Sequence, residues 1–169
     1  MKITLKKATL ADLTLLQTLS EKVWRSHYPS IISMSQIDYM LQKMYGTERL
    51  TAELQHADFN YLLAYADEEA IGYLCISNLG NKKYMLNKFY LLVEQQGKGL
   101  GERIFNLAFD ALDYDEIQLY VNRLNFKSVN FYFKLGFKIV RVLDNHFGAG
   151  YYMNDFFMVK KNKKFNVAL

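Results

Sequence analysis

The sequence VEQQGKGLGERIF, from Val93 to Phe105, holds glycines at positions 97, 99 and 101, in a chain with nine glycines among 169 residues. An apolar segment, YMLNKFYLLV, precedes it, and an amphipathic segment, GERIFNLAFDALDY, follows it. This order predicts a strand, a glycine turn and a helix over residues 101–114, with one apolar face made by Leu100, Ile104, Leu107, Ala108, Ala111 and Leu112. The first N–H groups of a helix lack internal partners and attract anions, and glycine lets a phosphate approach them. We therefore predict a phosphate-binding turn, with Lys98 adding positive charge at its rim.

Neither of the two common nucleotide fingerprints describes this turn. The Walker pattern requires Ser or Thr after Gly-Lys, but Lys98 is followed by Gly-Leu-Gly. The dinucleotide pattern is G-x-G-x-x-G, whereas the glycines here follow G-x-G-x-G. The phosphate ligand must therefore belong to another class.

Apolar periodicity on either side of the turn predicts a mixed fold. An edge strand near Ile3 and Leu5 is followed by amphipathic helices over 9–24, 35–45 and 47–55, and by a hairpin over 59–78. After the glycine turn and its helix come a strand over 116–122, a helix ending at Gly136, and strands over 138–143 and 151–160. Helices mixed with strands in this order predict an α/β or α+β fold. We expect one domain over residues 1–169, with a basic tail from about residue 160.

The composition is that of an ordinary globular protein, with 51% hydrophobic and 22% charged residues and a net charge of +4. The basic excess is too small to predict nucleic-acid binding. The one cysteine, Cys75, cannot form a disulfide within the chain, which fits a reducing compartment. We see neither a signal peptide nor an apolar run of about 20 residues, so we expect a cytoplasmic protein with no membrane partner. The three histidines have no metal-ligand spacing, so no metal is expected.

Two motifs in order carry a family resemblance. Gln96-Gly97-Lys98-Gly99-Leu100-Gly101 resembles the Q/R-x-x-G-x-G/A signature of the GCN5-related N-acetyltransferases, the GNAT family. Further on, NFKSVNFYFKLGF over 125–137 resembles that family's N-x-x-A-x-x-[LF]-Y-x-x-x-G-F, with Ser128 in place of Ala. The resemblance implies a mixed, mostly antiparallel central sheet with splayed middle strands, flanked by helices. Homodimers are common in that family, so a homodimer is one of the oligomeric states that stay open.

The resemblance implies acetyl-CoA as co-substrate and a primary amine as acceptor, with direct attack in a ternary complex and no metal. The acceptor is a small amine or polyamine, or a protein amine. The backbone N–H near Leu91 would polarise the thioester carbonyl. The residues implied in coenzyme A binding are Leu91, Leu92, Gln96, Gly97, Lys98, Gly99, Leu100, Gly101, Glu102, Asn125 and Ser128. Asn125 is equally suited to cap a helix.

The resemblance also implies roles in proton transfer. Tyr132 would be the general acid that protonates the departing thiolate. Many family members use a Glu on the strand before the glycine turn as the base, but this strand has Asn87 and Lys88 and no carboxylate. The open alternatives are Asp155, Glu94 and a water chain to backbone carbonyls, and we take Asp155 as the candidate.

The acceptor site is expected to involve the N-terminal helices and the last strands. The candidates are Trp24, Tyr28, His146 and Tyr151, each of which is also a good packing residue. Two other functions stay open from the sequence alone. The absent strand carboxylate suits a non-catalytic acyl-CoA sensor on the same fold, whereas the basic tail and aromatic residues suit a nucleic-acid-binding domain, against which the modest charge argues.

Overall fold

The computed structural model describes residues 1–162, and these residues form two compact units. The first unit comprises residues 1–77 and 88–112, and the second comprises residues 78–87 and those from 113 onward. The expectation of one domain over 1–169 stays a prediction. Most of the predicted basic tail, residues 163–169, lies outside the described residues.

The first unit contains the N-terminal helices and an antiparallel part of the sheet. Strands β1 (Ile3–Lys7), β2 (Phe59–Ala66) and β3 (Glu69–Gly80) pair in sequence, each antiparallel to the next. Its helices are α1 (Leu13–His27), α2 (Met34–Tyr45), α3 (Thr47–Gln55) and α4 (Leu100–Phe109). These elements bury aliphatic side chains with no exposed surface: Leu16, Ile37, Leu50, Leu63, Ile71 and Ile104. Burial of apolar surface on this scale is the main stabilising contribution to such a unit.

The second unit is built on the remaining strands and one helix. Strand β4 (Lys83–Leu91) belongs to this unit up to Asn87 and to the first unit from Lys88, and its first four residues pair in parallel with β5 (Glu116–Asn122), from Lys83↔Glu116 to Leu86↔Leu119. Helix α5 (Phe126–Lys134) follows, then β6 (Lys138–Gly148) and β7 (Tyr151–Lys161). Strand β7 is antiparallel to both β5 and β6. The C-terminal strand therefore lies between two strands that precede it in the chain.

The strands form one seven-stranded sheet in the order β1-β2-β3-β4-β5-β7-β6. The sheet is mixed and mostly antiparallel, and helices flank it, which confirms the predicted fold class. Among the described residues, no helix is long and apolar enough to cross a membrane.

Two predicted boundaries were wrong. Helix α4 begins at Leu100 and ends at Phe109, not near residue 114, and Leu107, predicted on its apolar face, is 46% exposed. The buried face instead includes Phe105 and Phe109, whose ring centroids lie 4.6 Å apart. Strand β6 continues to Gly148 rather than ending near residue 143, because its backbone pairs with β7 along the whole hairpin.

Candidate functional site

The glycine turn connects the end of β4 to the start of α4 as predicted. Gly97 and Gly99 have φ angles of 78° and 72°, and Gly99 is the N-cap residue of α4. This left-handed region is costly for residues with a side chain. A Cβ atom at either glycine would meet no other atom within 4 Å, so the backbone of the turn is open to a ligand.

The start of α4 offers donors for an anion. The first helical hydrogen bond runs from the Arg103 N–H to the Gly99 carbonyl, at 3.3 Å. The N–H groups of Leu100, Gly101 and Glu102 precede that bond, so the helix itself cannot supply their acceptors. Lys98 is exposed, and its Nζ lies 3.3 Å from Gln95 Oε1. The open backbone, the helix N-terminus and the nearby ammonium fit a pyrophosphate.

The end of β4 is fixed by hydrogen bonds on both sides. Leu91 and Leu92 are buried, and the Leu92 N–H donates to the Ile71 carbonyl at 2.9 Å. The Gln96 side-chain amide donates to the Leu91 carbonyl at 2.8 Å. The motif glutamine therefore bonds to the strand that precedes its own turn.

Three of the predicted residues lie on or beside α5 in the second unit. Asn125 is buried and caps the helix, because its Oδ1 accepts from the Ser128 N–H at 3.1 Å. Tyr132 is 8% exposed, and its ring contacts Phe131 and Phe137 at centroid distances of 5.4 and 5.5 Å. The helix ends before Gly136, which has a φ of 92°. Asn125 therefore performs the capping role that the sequence allowed.

Asp155 is a buried carboxyl group on β7. It is 6% exposed and lies opposite Asn122 on β5 and Leu143 on β6. Burial raises its pKa above the usual value, and neither a hydrogen bond from Asn145 nor the charge of Arg123 cancels that shift. Such a carboxyl group accepts a proton more readily than an exposed one.

The four predicted acceptor residues divide between the two units. Trp24, which is 1% exposed, stacks on Tyr28 at 4.3 Å in the first unit. Its Nε1 is buried and has no hydrogen-bond partner among residues 1–162. In the second unit, His146 is exposed with its ring 5.0 Å from that of Tyr152, and Tyr151 opens β7.

A sequence profile of the Acetyltransferase (GNAT) family matches residues 19–137. The chain belongs to the GNAT family. It is also 30% identical, over 146 residues, to the spermidine N(1)-acetyltransferase of Thermoplasma acidophilum, covering 82% of this chain and 90% of that protein. The protein is therefore an N-acetyltransferase, and acetyl-CoA is its co-substrate.

Solved acetyltransferase structures share this fold over almost the whole chain. The PaiA N-acetyltransferase of Thermoplasma acidophilum, solved with coenzyme A, superposes with a TM-score of 0.81 at 28% identity, covering 96% of this chain and 100% of that one. An acetyltransferase from Thermus thermophilus superposes with a TM-score of 0.74 at 17% identity, covering 96% and 98%. The second likeness concerns the fold alone.

Strand β4, which has no carboxylate of its own, contacts a carboxylate from helix α3. Lys88 on β4 and Glu53 on α3 form a buried ion pair, and Tyr61 on β2 donates to the same Glu53 oxygen. Arg49 bonds to the second Glu53 oxygen at 2.7 Å. Sequence reasoning missed Glu53, although its position three residues after the buried Leu50 indicated the inner face of α3.

The environment of Glu53 identifies it as a structural group rather than a base. Burial alone would raise the pKa of Glu53, but the Lys88 ammonium holds it below the usual value, with hydrogen bonds from Tyr61 and Arg49 acting in the same direction. A carboxylate with a lowered pKa and several donors is a poor proton acceptor. Among residues 1–162, no group of three or more His, Cys, Asp or Glu side chains is arranged to hold a metal ion.

Proposed function

We propose that this acetyltransferase acetylates a primary amine of a small polyamine by direct attack in a ternary complex. The observation that carries the proposal is the open, left-handed glycine turn at the start of α4, in a chain 30% identical to a spermidine N(1)-acetyltransferase. The glycine turn supports acetyl-CoA as the acetyl donor, and the similarity to a spermidine acetyltransferase supports a polyamine as the acetyl acceptor. Protein amines are the alternative acceptor class that the test must include.

The reaction balances without a covalent enzyme intermediate. The acceptor amine, after losing one proton, attacks the thioester carbonyl carbon and forms the C–N bond. The C–S bond breaks, the electron pair goes to sulfur, and the thiolate takes a proton to become coenzyme A. The amine nitrogen releases its second proton, so the products are an N-acetylamine, coenzyme A and one net proton when the amine enters as ammonium.

The coenzyme A contacts are assigned to the residues that the family motifs indicate. The backbone N–H groups from Gly97 to Glu102 would hold the pyrophosphate, with Lys98 adding charge, and Gln96 begins that motif. The segment FYLL, residues 89–92, would pair with the pantetheine arm through its backbone, and the N–H near Leu91 would polarise the thioester carbonyl. Asn125 and Ser128 would contact the same arm from the start of α5, where Asn125 already acts as the cap.

Tyr132 is proposed as the general acid. Its phenol belongs to the family motif, and its ring is fixed by Phe131 and Phe137, so the hydroxyl has a defined direction. Protonation of the thiolate by a positioned phenol keeps the leaving group from re-attacking.

Asp155 is proposed as the base that takes the amine proton. Its support is the raised pKa that burial gives it, because a base with a raised pKa holds a proton more strongly. Glu94 is exposed and lacks such an environment. A water chain ending at backbone carbonyls is the competing route, and substitution of Asp155 distinguishes the two.

Trp24, Tyr28, His146 and Tyr151 are proposed to bind the acceptor. The buried Trp24 N–H, with no acceptor among the described residues, supports a hydrogen bond to a ligand or an ordered water at that position. Aromatic faces also attract ammonium groups, which suits the distal nitrogens of a polyamine. One domain over 1–169, a homodimer and a cytoplasmic location remain proposals, the last supported by the buried thiol of Cys75.

A thiol-release assay with acetyl-CoA tests the proposal against spermidine, spermine, putrescine, amino acids, aminoglycosides and short peptides. Wild type, Tyr132→Phe and the matched control Tyr120→Phe are compared, since Tyr120 is 47% exposed in the same unit and has no assigned role. We expect polyamine turnover that Tyr132→Phe lowers about 100-fold or more and Tyr120→Phe preserves. If coenzyme A does not bind, the proposed function is wrong. If a peptide is the best acceptor, the polyamine assignment is wrong, and if Tyr132→Phe keeps full activity, Tyr132 is not the general acid.

A further inference from the structure

Contacts with neighbouring residues fix two successive peptide groups at the end of β4, Tyr90–Leu91 and Leu91–Leu92. The peptide that joins Leu91 to Leu92 is fixed at both ends, because its N–H donates to Ile71 on β3 and its carbonyl accepts from Gln96. The peptide that joins Tyr90 to Leu91 is packed against β3 at Gly72. Both peptides therefore have a defined orientation.

Gly72 is required for space rather than for its backbone angles. A Cβ atom there would lie 2.2 Å from the Tyr90 carbonyl oxygen and 3.0 Å from Leu91 Cα, both of which are backbone atoms. Gly72 is not among the residues with a positive φ. Glycine within a strand often marks such a close approach of another backbone. Any side chain at position 72 must displace the Tyr90 carbonyl.

The orientation of the Leu91 N–H follows from these contacts. No peptide bond in the described chain is cis, so the Tyr90 carbonyl and the Leu91 N–H point in opposite directions. Because the carbonyl is packed on Gly72, the N–H points away from β3. In a strand, the N–H and the carbonyl of one residue point to the same side. The Leu91 carbonyl therefore points to the same side as the Leu91 N–H, and its oxygen accepts a hydrogen bond from the Gln96 side-chain amide.

We infer that Gln96 and Gly72 are positioning residues for acetyl transfer, which rests on the proposed function. Gly72 allows the Tyr90–Leu91 peptide to direct its N–H outward, toward the acetyl carbonyl of the co-substrate. The Gln96 side-chain amide donates a hydrogen bond to the adjacent Leu91 carbonyl oxygen. This bond offsets the repulsion between that oxygen and the negative charge that develops on the thioester oxygen. A donor aimed at that oxygen lowers the barrier only while its direction is fixed.

The neighbouring glutamine provides a matched control. Gln95 Oε1 accepts from Lys98, and among residues 1–162 no side-chain hydrogen bond joins Gln95 to β4, whereas Gln96 Nε2 donates to Leu91. Gln96→Glu removes the donor, keeps the size and adds one negative charge. Gln95→Glu makes the same change one residue away. Any general effect of the charge on coenzyme A binding therefore appears in both variants.

Steady-state kinetics and isotope-edited infrared spectra of bound acetyl-CoA test the inference. We expect Gln96→Glu to lower kcat about 10–100-fold against Gln95→Glu, with equal coenzyme A affinity in the two variants. In wild type and Gln95→Glu, binding should shift the thioester carbonyl band to lower frequency, and Gln96→Glu should reduce that shift. Gly72→Ala should lower kcat and the band shift in the same way, which keeps the test available if one variant fails to fold.

The outcomes separate this inference from the proposed function. If Gln96→Glu keeps the kcat and the band shift of its control, or loses only coenzyme A affinity, Gln96 is not a positioning residue. If wild type neither binds acetyl-CoA nor turns over any amine, the proposed function fails. The spectra need no acceptor amine, so an unidentified acceptor does not prevent the measurement.

Discussion

Glu53 and Lys88, which are 35 positions apart in the sequence, form a buried ion pair between α3 and β4. The side chains are 6% and 4% exposed, and Tyr61 donates to the same carboxylate. The Lys88 ammonium also lies over the rings of Tyr45 and Tyr61, at 5.4 and 4.9 Å from their centroids. A buried charge with several partners is tolerated, but it becomes costly when one partner is removed.

Lys88→Met should destabilise the protein by about 3–5 kcal/mol, because Glu53 would keep its burial and lose its main counter-charge. The free energy of unfolding is measured by urea denaturation near neutral pH. Lys83→Met, an exposed lysine on the same strand, is the matched control and should leave the midpoint unchanged. Equal midpoints for the two variants would show that the buried pair does not contribute as we describe.

Stability should fall in acid because of Glu53. Its folded-state pKa lies below the usual value of 4.5, so its contribution is complete above 4.5 and is lost as the pH falls through the folded pKa. In Glu53→Gln this part of the pH dependence should be absent. Glu48→Gln, at an exposed position on the same helix, should retain it. Melting temperatures across the acid range test this, and parallel profiles for Glu53→Gln and wild type would contradict it.

Asp155→Asn should give a protein that is more stable and less active. The raised pKa of Asp155 means that the native state holds its proton more strongly than the unfolded state, so stability falls as the pH rises from 3.8 through the folded pKa. The neutral amide removes the cost of burying a charged carboxylate near neutral pH, and the difference in stability between variant and wild type vanishes at lower pH. Turnover should fall about 100-fold if Asp155 is the base.

Asp144→Asn makes the same change at an exposed residue of the same hairpin, and because it weakens only the surface ion pair between Arg123 and Asp144, its melting temperature should stay close to that of wild type and its turnover should match. Melting curves over pH and thiol release are measured on all three proteins. Unchanged turnover in Asp155→Asn would favour the water chain as proton acceptor.

Gly99→Ala should weaken coenzyme A binding at least tenfold. An alanine at the left-handed φ costs about 1–2 kcal/mol, and its methyl group would occupy the open face of the turn where we propose that the pyrophosphate binds. Gly80→Ala imposes the same backbone cost, because Gly80 has a φ of 79° and no atom within 4 Å of a built Cβ. The two variants should lose similar stability, and only Gly99→Ala should lose affinity in a coenzyme A titration. Similar affinity in both would place the pyrophosphate elsewhere.

Local features were predictable because their causes are local. Gly97 and Gly99 adopt the left-handed angles that favour glycine, and the helix that follows begins at Leu100 as the apolar spacing indicates. Asn125 caps α5 through an interaction with a residue three positions away. Each of these depends on neighbours within one turn of the chain, so sequence spacing is sufficient evidence.

Other features depend on which elements meet, and the sequence does not specify that. The partner of Lys88 comes from α3, and no local pattern near β4 indicates Glu53. Gly72 lies within a predicted strand, and nothing in the neighbouring sequence indicates that the Tyr90 carbonyl takes the space of a side chain there. The end of α4 was misplaced because its buried face includes Phe105 and Phe109, not Leu107, and this choice is made by packing.

The burial of Trp24 has an optical consequence. Trp24 is the one tryptophan of the chain and lies on α1 in the first unit, stacked on Tyr28 and almost without exposed surface. Fluorescence excited at wavelengths that tryptophan alone absorbs therefore reports on that unit, while tyrosine absorbance samples both. A red shift of the emission during denaturation would time the opening of the helical N-terminal region without any label, and quenching on addition of an amine would report an acceptor bound beside the indole.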